Sequence, residues 1–145
     1  MDEKKLFNKM SLKSAVFEEV NLECAVFSQT NMLCTAIVEA NLDESRIEDC
    51  SMKKAQFRNA AMREVTFQDV DMQNTVYSNA NLRGLVFKHS NMQGASFTHL
   101  GMNQTVFESC SFENAQFNSC EMEGAMIDGI PVAELLAAYQ KANKS

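Results

Sequence analysis

The chain has 145 residues and carries 19 acidic against 13 basic side chains, a net charge of -6. That length suits one domain with a sizeable core, and the acidic balance argues against direct nucleic-acid binding, which asks for a basic stripe. No apolar run approaches the roughly 18 residues of a membrane span, and the charged start Met1-Asp2-Glu3-Lys4-Lys5-Leu6 offers no signal-peptide core, so a cytoplasmic chain without membrane contact is expected.

From Phe7 onward every fifth residue is large and apolar: Phe7, Leu12, Phe17, Leu22, Phe27, Met32 and so on, twenty-five positions in all, to Ile127. A fixed period of this kind is the mark of a repeat architecture. Five matches neither the 3.6 of a helix nor the 2 of a strand, but five residues hold a short extended piece and a corner. Two residues before each large centre stands a smaller one, such as Ala15, Ala25, Thr35, Ala55 or Ala125. Residues two apart point to the same side of an extended segment, so both are expected to face one interior. Gly84, Gly94, Gly124, Gly129, Asn59, Asn74, Asn79 and Asn114 all fall two residues after a centre. These residue types tolerate the positive φ that a type II turn requires, which makes that position the expected corner.

The phrases Ala40-Asn41-Leu42-Asp43-Glu44, Ala80-Asn81-Leu82-Arg83-Gly84 and Ala55-Gln56-Phe57-Arg58-Asn59 resemble the pentapeptide-repeat family, whose pattern is Ala-(Asp/Asn)-Leu-x-x. The resemblance covers about residues 5–129, with Met or Phe at many centres and Val or Thr often preceding them. It implies an all-β fold: a right-handed quadrilateral parallel β-helix with four pentapeptides per coil, occupying residues 1–130 in about six coils. Residues twenty apart then stack. Face one carries Phe7, Phe27, Ile47, Phe67, Phe87, Phe107 and Ile127; face two starts at Leu12, face three at Phe17 and face four at Leu22. Aromatics dominate faces one and three, Leu and Met faces two and four. Just before the centre, faces two and four carry Asn21, Asn31, Asn41, Asp71, Asn81 and Asn91, whose side chains suit bonds to nearby corner backbone. Faces one and three carry Val16, Val26, Val76, Val86 and Val106, which suit straighter β segments.

After the last repeat, Pro131 opens a segment in which Val132, Leu135, Leu136 and Tyr139 follow helical spacing. A helix over 131–143 is expected, either capping the end of the solenoid or joining two copies into a homodimer, as C-terminal segments do in some family members. Val132, Leu135, Leu136 and Tyr139 are the expected cap or dimer contacts.

The stacking scheme leaves little room for chemistry. His89 and His99 lie half a coil apart, on opposite faces, as do Cys24 and Cys34. Cys50 and Cys110 share a face but stand three coils apart, about 14 Å, beyond disulfide reach. Five free thiols are expected, as in a reducing compartment, with no convergent metal ligands and no concave catalytic pocket. No enzyme activity, cofactor or metal is expected. What remains is surface: Glu18, Glu19, Glu23, Glu39, Asp43 and Glu44 gather on the first two coils, expected along the corner between faces three and four, with Arg58, Arg63 and Arg83 following and Lys53 and Lys54 on the adjoining side. This acidic section is the candidate partner surface. The expected function is that of a non-catalytic structural or protein-interaction scaffold, its partner unread. The alternative, carried by similarity to the acidic, dimeric quinolone-resistance subgroup of the family, is a DNA mimic that occupies a type II topoisomerase. Against it stand the modest net charge, the basic waist and the unbroken register, which leaves no room for the loop insertions several of those proteins carry.

Overall fold

A computed structural model describes residues 5–144. Short strands recur every ten residues: β1 (Leu6–Asn8), β2 (Val16–Glu18), β3 (Val26–Ser28), β4 (Ala36–Val38), β5 (Arg46–Glu48), β6 (Gln56–Arg58), β7 (Thr66–Gln68), β8 (Val76–Ser78), β9 (Val86–Lys88), β10 (Ser96–Thr98), β11 (Val106–Glu108), β12 (Gln116–Asn118) and β13 (Met126–Ile127). Odd-numbered strands pair in parallel on face one and even-numbered strands on face three, with Phe7 opposite Phe27 and Phe17 opposite Ile37. The register is therefore twenty, and the chain winds as a parallel β-solenoid of about six coils. Faces two and four carry less ladder. Each coil contributes only single bridges there, such as Asn21 to Asn41 and Ser51 to Asp71.

The corners account for that difference. After faces two and four the centre's C=O accepts from the N–H three residues on, as Leu22 O does from Ala25 (3.0 Å) and Leu82 O from Leu85 (3.0 Å), and the third turn residue sits near φ 60°, as at Cys24 and Gln104. That is the type II pattern expected at the glycines, and Gly84, Gly94 and Gly124 adopt it at φ 70–77°. The rule proves wider than Gly and Asn. Lys9, Glu19, Glu39, Asp69 and His89 also hold positive φ at this position. Coil closure imposes the left-handed conformation whatever the side chain, at about 1–2 kcal/mol per non-glycine residue, offset by the ladder bonds on either side. Asn21, Asn31, Asn41, Asn81 and Asn91 accept from the backbone N–H two residues on at 2.9–3.1 Å, the corner bracing their spacing suggested.

The interior is a zipper of rings. Phe57 stacks on Tyr77 and Tyr77 on Phe97 at 4.8 Å, while Phe67 stacks on Phe87 at 5.2 Å. Rings of opposite faces meet edge-on, as Phe87 and Phe97 do at 6.2 Å and 87°. Parallel stacks along each face and edge-to-face contacts across the column are both favoured by the ring quadrupole. The Met and Leu centres of faces two and four complete the packing, and Met32, Leu42, Met52, Met62, Met72, Leu82, Met92 and Met102 are wholly buried. Smaller inward residues with a polar hydrogen donate to carbonyls: Thr30 to Ser28 (2.9 Å) and Phe7 (3.1 Å), Cys50 to Glu48 (3.1 Å) and Phe27 (3.5 Å). Burial pushes the Cys50 and Cys110 thiols up from their ordinary range.

At the C-terminal end β14 (Ile130–Pro131) turns back antiparallel onto β13, and α1 (Val132–Ala142) follows. The expected helix is present, and within one chain little of it is buried. Val132 is its only buried residue, while Leu135, Leu136 and Tyr139 are 40%, 56% and 69% exposed. Phe112, Phe117 and Met122 of the last coil remain only partly covered.

Candidate interaction surface

The six acidic residues do not form one cluster. Glu18, Glu19 and Glu39 project from the corner after face three, whereas Glu23, Asp43 and Glu44 belong to the corner after face four. Counting in twenties orders the coils correctly but had placed both groups on one edge, when they flank face four on its two sides. Arg58 stands two coils from Glu18, in its column. Arg63 is one coil beyond Asp43.

That last pair is closed on itself. Asp43 is only 7% exposed. The Arg63 backbone N–H donates to its Oδ1 (2.8 Å), and Arg63 Nε and Nη2 donate to Oδ2 (3.2 and 2.6 Å). The carboxylate raises the Arg63 pKa further, chiefly through these hydrogen bonds and then by charge attraction. Asp43 is thus removed from the accessible acidic surface, while Glu23 and Glu44 remain exposed. A cleft of about 440 Å³ opens beside the pair, lined by Glu23, Glu44, Glu64, Arg83, Gly84 and Gln104 among others. It adjoins a second of about 370 Å³, lined by Arg83, Asn103, Gln104, Glu123 and Gly124.

The other titratable groups are dispersed. None of the five cysteines forms a disulfide, with Cys24 and Cys34 at exposed corners and Cys50 buried. His89 and His99 sit on corners after opposite faces. One convergence was not anticipated: Glu23, Cys24 and Glu44 bring their ligand atoms within 4.8 Å of one another, the Cys24 thiol 3.6 Å from Glu44 Oε2. All three are exposed. The signal was in the sequence, since Cys24 and Glu44 are twenty apart and therefore adjacent in one column.

A second feature also went unread. Between Lys88 and Lys141 there is no lysine or arginine, while Glu108, Glu113, Glu121, Glu123, Asp128 and Glu134 all fall in that span. Apart from Lys88, which lies 4.0 Å from Glu108, no basic residue offsets these carboxylates before Lys141, so the C-terminal coils are more uniformly acidic than the N-terminal ones. A net charge summed over the chain hides this asymmetry. No helix among the described residues is long and apolar enough to cross a membrane.

Comparisons with known proteins agree with the geometry. The family profile described as "Pentapeptide repeat region" matches residues 4–77, and that of "Pentapeptide repeats (8 copies)" matches residues 66–100. No curated protein matches the sequence. Among solved structures, the pentapeptide repeat protein Rfr23 from the cyanobacterium Cyanothece 51142 is 15% identical, with a TM-score of 0.52 over 85% of this chain and 91% of that one. HetL, a pentapeptide repeat protein involved in heterocyst differentiation regulation from Nostoc sp. strain PCC 7120, is 15% identical with a TM-score of 0.30 over 85% of this chain and 87% of its own. QnrB1, a plasmid-mediated fluoroquinolone resistance protein, is 9% identical with a TM-score of 0.29 over 95% and 96% of the two chains. With a family profile spanning more than half its length and an uninterrupted twenty-residue register, the chain belongs to the pentapeptide-repeat family.

Proposed function

We propose that this protein is a non-catalytic interaction column that pairs with a second copy through α1 and presents its surface to a protein partner. The observation that carries the reading is the uncovered apolar side of α1. Leu135, Leu136 and Tyr139 are exposed beside Ile130 (46%), next to a last coil whose Phe112, Phe117 and Met122 are incompletely covered. Exposed apolar groups gathered at one end of a column mark an interface, and a two-fold pairing covers the same patch on both copies. Light scattering should return twice the 16.2 kDa chain mass, and the double variant Leu135→Asp/Leu136→Asp should return the single mass with the column still folded. A monomer for the unaltered protein at hundred-micromolar concentration sinks the pairing.

The acidic C-terminal coils favour a second reading. Pairing through α1 sets two sections free of lysine and arginine side by side at the middle of the assembly, and a strip of carboxylates suits a basic, DNA-binding surface. A type II topoisomerase is the partner class this reading names, as in the quinolone-resistance subgroup. The basic waist weighs less than its residue count, because Arg63 is neutralised by Asp43. A gyrase supercoiling assay with and without a fluoroquinolone decides it. The absence of both inhibition and protection at micromolar protein removes the topoisomerase as partner and leaves the column reading standing.

A further inference from the structure

The first coil has an uncovered end of its own. β1 and β2 are the terminal strands of their sheets, and Phe7, Leu12 and Phe17 are only partly buried, where Phe27, Met32 and Ile37 of the next coil are wholly so. Met10 and Val20 take inward positions that Thr30 and Ala40 fill one coil on, yet they are 41% and 36% exposed against 2% and 4%. Val26 N–H donates to Lys5 O, and Ser28 O accepts from Lys9 N–H. Leu6 and Asn8 hold the places of Val26 and Ser28 one coil earlier, so their N–H and C=O groups turn to the free end. The charges around this end are divided. Lys9 and Lys13 stand on the corners either side of face two, whereas Glu18, Glu19 and Glu23 stand on those either side of face four. All five are exposed, and among the described residues none is in an ion pair.

Faces two and four are opposite sides of the square, so a two-fold axis crossing the column through faces one and three exchanges them. Two columns set first coil to first coil on that axis bring Lys9 against Glu23 of the second copy, and Lys13 against its Glu18 and Glu19, each contact made twice. An axis through faces two and four would instead oppose Lys9 to Lys13 and the carboxylates to one another. The favoured axis also runs β1 antiparallel to its own copy about Phe7. Leu6 then faces Asn8 of the second copy, and the two exchange both backbone bonds, as hydrogen-bonded antiparallel pairs do. Phe7, stacked on Phe27 at 4.6 Å, meets Phe7 of the second copy. We propose that the first coil is a self-recognition surface whose partner is a second copy of this chain, joined through β1 and these complementary corners. A coil climbs about 4.8 Å in one turn, so β2 stands back from the end by about half of that, and strand pairing is confined to face one. One three-residue strand with exposed ion pairs is a small contact, formed at low salt and high protein concentration. It lies at the opposite end of the column from α1 and does not depend on pairing there. Where both contacts form, two-fold interfaces at the two ends build an open rod.

The test uses the untagged chain carrying Leu135→Asp/Leu136→Asp, so that α1 contributes nothing, and small-angle X-ray scattering to read mass and length. At about 20 mM salt the mass should move from one chain toward two, with the length doubling, as protein is raised to about 1 mM, and it should return to one chain at about 300 mM salt. Adding Lys9→Glu/Lys13→Glu should abolish the association, and so should adding Glu18→Lys/Glu19→Lys/Glu23→Lys. The two reversed variants mixed one to one should associate again, at least as tightly as the parent. Amide NMR on the parent should place the concentration-dependent shifts at Leu6, Phe7 and Asn8, which needs no further substitution. A parent that stays at one mass overturns the proposal and leaves this end to residues 1–4 or to a different protein. Reversed variants that still associate alone, a mixture that does not associate, or shifts on another face also overturn it. At about 150 mM salt and about 100 μM protein the contact is dissociated, so the masses expected for an α1-linked pair stand or fall separately.

Discussion

Asp43 and Arg63, one coil apart, are joined by three hydrogen bonds, one of them from the Arg63 backbone N–H. The carboxylate therefore links two successive coils through main chain as well as side chain. A surface ion pair is ordinarily worth little, but this one has a buried acceptor bonded to a backbone donor. Asp43→Ala should lower the thermal midpoint by about 3 °C, while Asp43→Asn, which can still accept from the Arg63 N–H, should lose less. A double-mutant cycle with Arg63→Ala separates the two contributions. If Asp43→Ala and Asp43→Asn melt together, the backbone bond is not the important one.

Ser45 provides the opposite case. It is wholly buried, and its Oγ is the one buried side-chain polar atom among the described residues without a hydrogen-bond partner. Thr30, Cys50 and Ser90 use their inward hydrogen on a carbonyl, but Ser45 does not. Ser45→Ala removes an unsatisfied hydroxyl and introduces the residue already found one coil before it, at Ala25. The variant should gain about 1 kcal/mol, read as a higher denaturant midpoint with unchanged slope. A loss of stability would mean that the hydroxyl is satisfied after all.

How much of this was legible depends on what each feature needs. The columns follow from counting alone, because a packed solenoid admits one large residue per side per coil and Phe7, Phe27 and Phe67 meet that demand without a slip. The corners were legible at Gly84 and Asn59 but not at Glu19 or Lys9, because there the conformation is imposed by closure and leaves no mark on residue choice. The placement of Glu23 beside Glu18 failed for a geometric reason. Five residues along the chain is a full side of the square, so neighbours in sequence pattern are on different edges. The exposure of α1 could not be read, since the spacing of Val132, Leu135 and Leu136 shows that an apolar side exists but not what covers it. The run without lysine or arginine from residue 89 to 140 was fully legible and needed only a local charge count.

Phe67 lies mid-column, wholly buried, stacked on Phe87 and edge-on to Phe57 at 6.2 Å. Its loss leaves a cavity that neighbouring coils cannot close without breaking the twenty-residue register. Phe67→Ala should cost about 3–5 kcal/mol, and Phe67→Leu, which keeps most of the volume, clearly less. Phe67→Glu buries an unpaired carboxylate and should unfold the solenoid cooperatively. Circular dichroism checks all three. Near-native stability for the glutamate variant would show that the centre position does not face inward.

Alkali should be the chemical weak point of the column. Tyr77 is wholly buried with its hydroxyl 3.6 Å from Met72 Sδ, and burial pushes its pKa far above the usual phenol range, only partly countered by a hydrogen bond with Thr75. Burial also raises the Cys50 and Cys110 thiols. Each of these groups has a folded-state pKa above its unfolded one, so its contribution to stability is complete below the unfolded value and declines as pH rises through it toward the folded value. Stability should therefore hold to about pH 8.5 and fall above it, first through the thiols and then, beyond about pH 10, through Tyr77. The double variant Cys50→Ala/Cys110→Ala should delay the onset of that fall, and Tyr77→Phe should flatten the slope above about pH 10. Denaturation midpoints measured across this range decide the matter. A profile that the substitutions leave unchanged would assign the alkaline loss to groups outside the core.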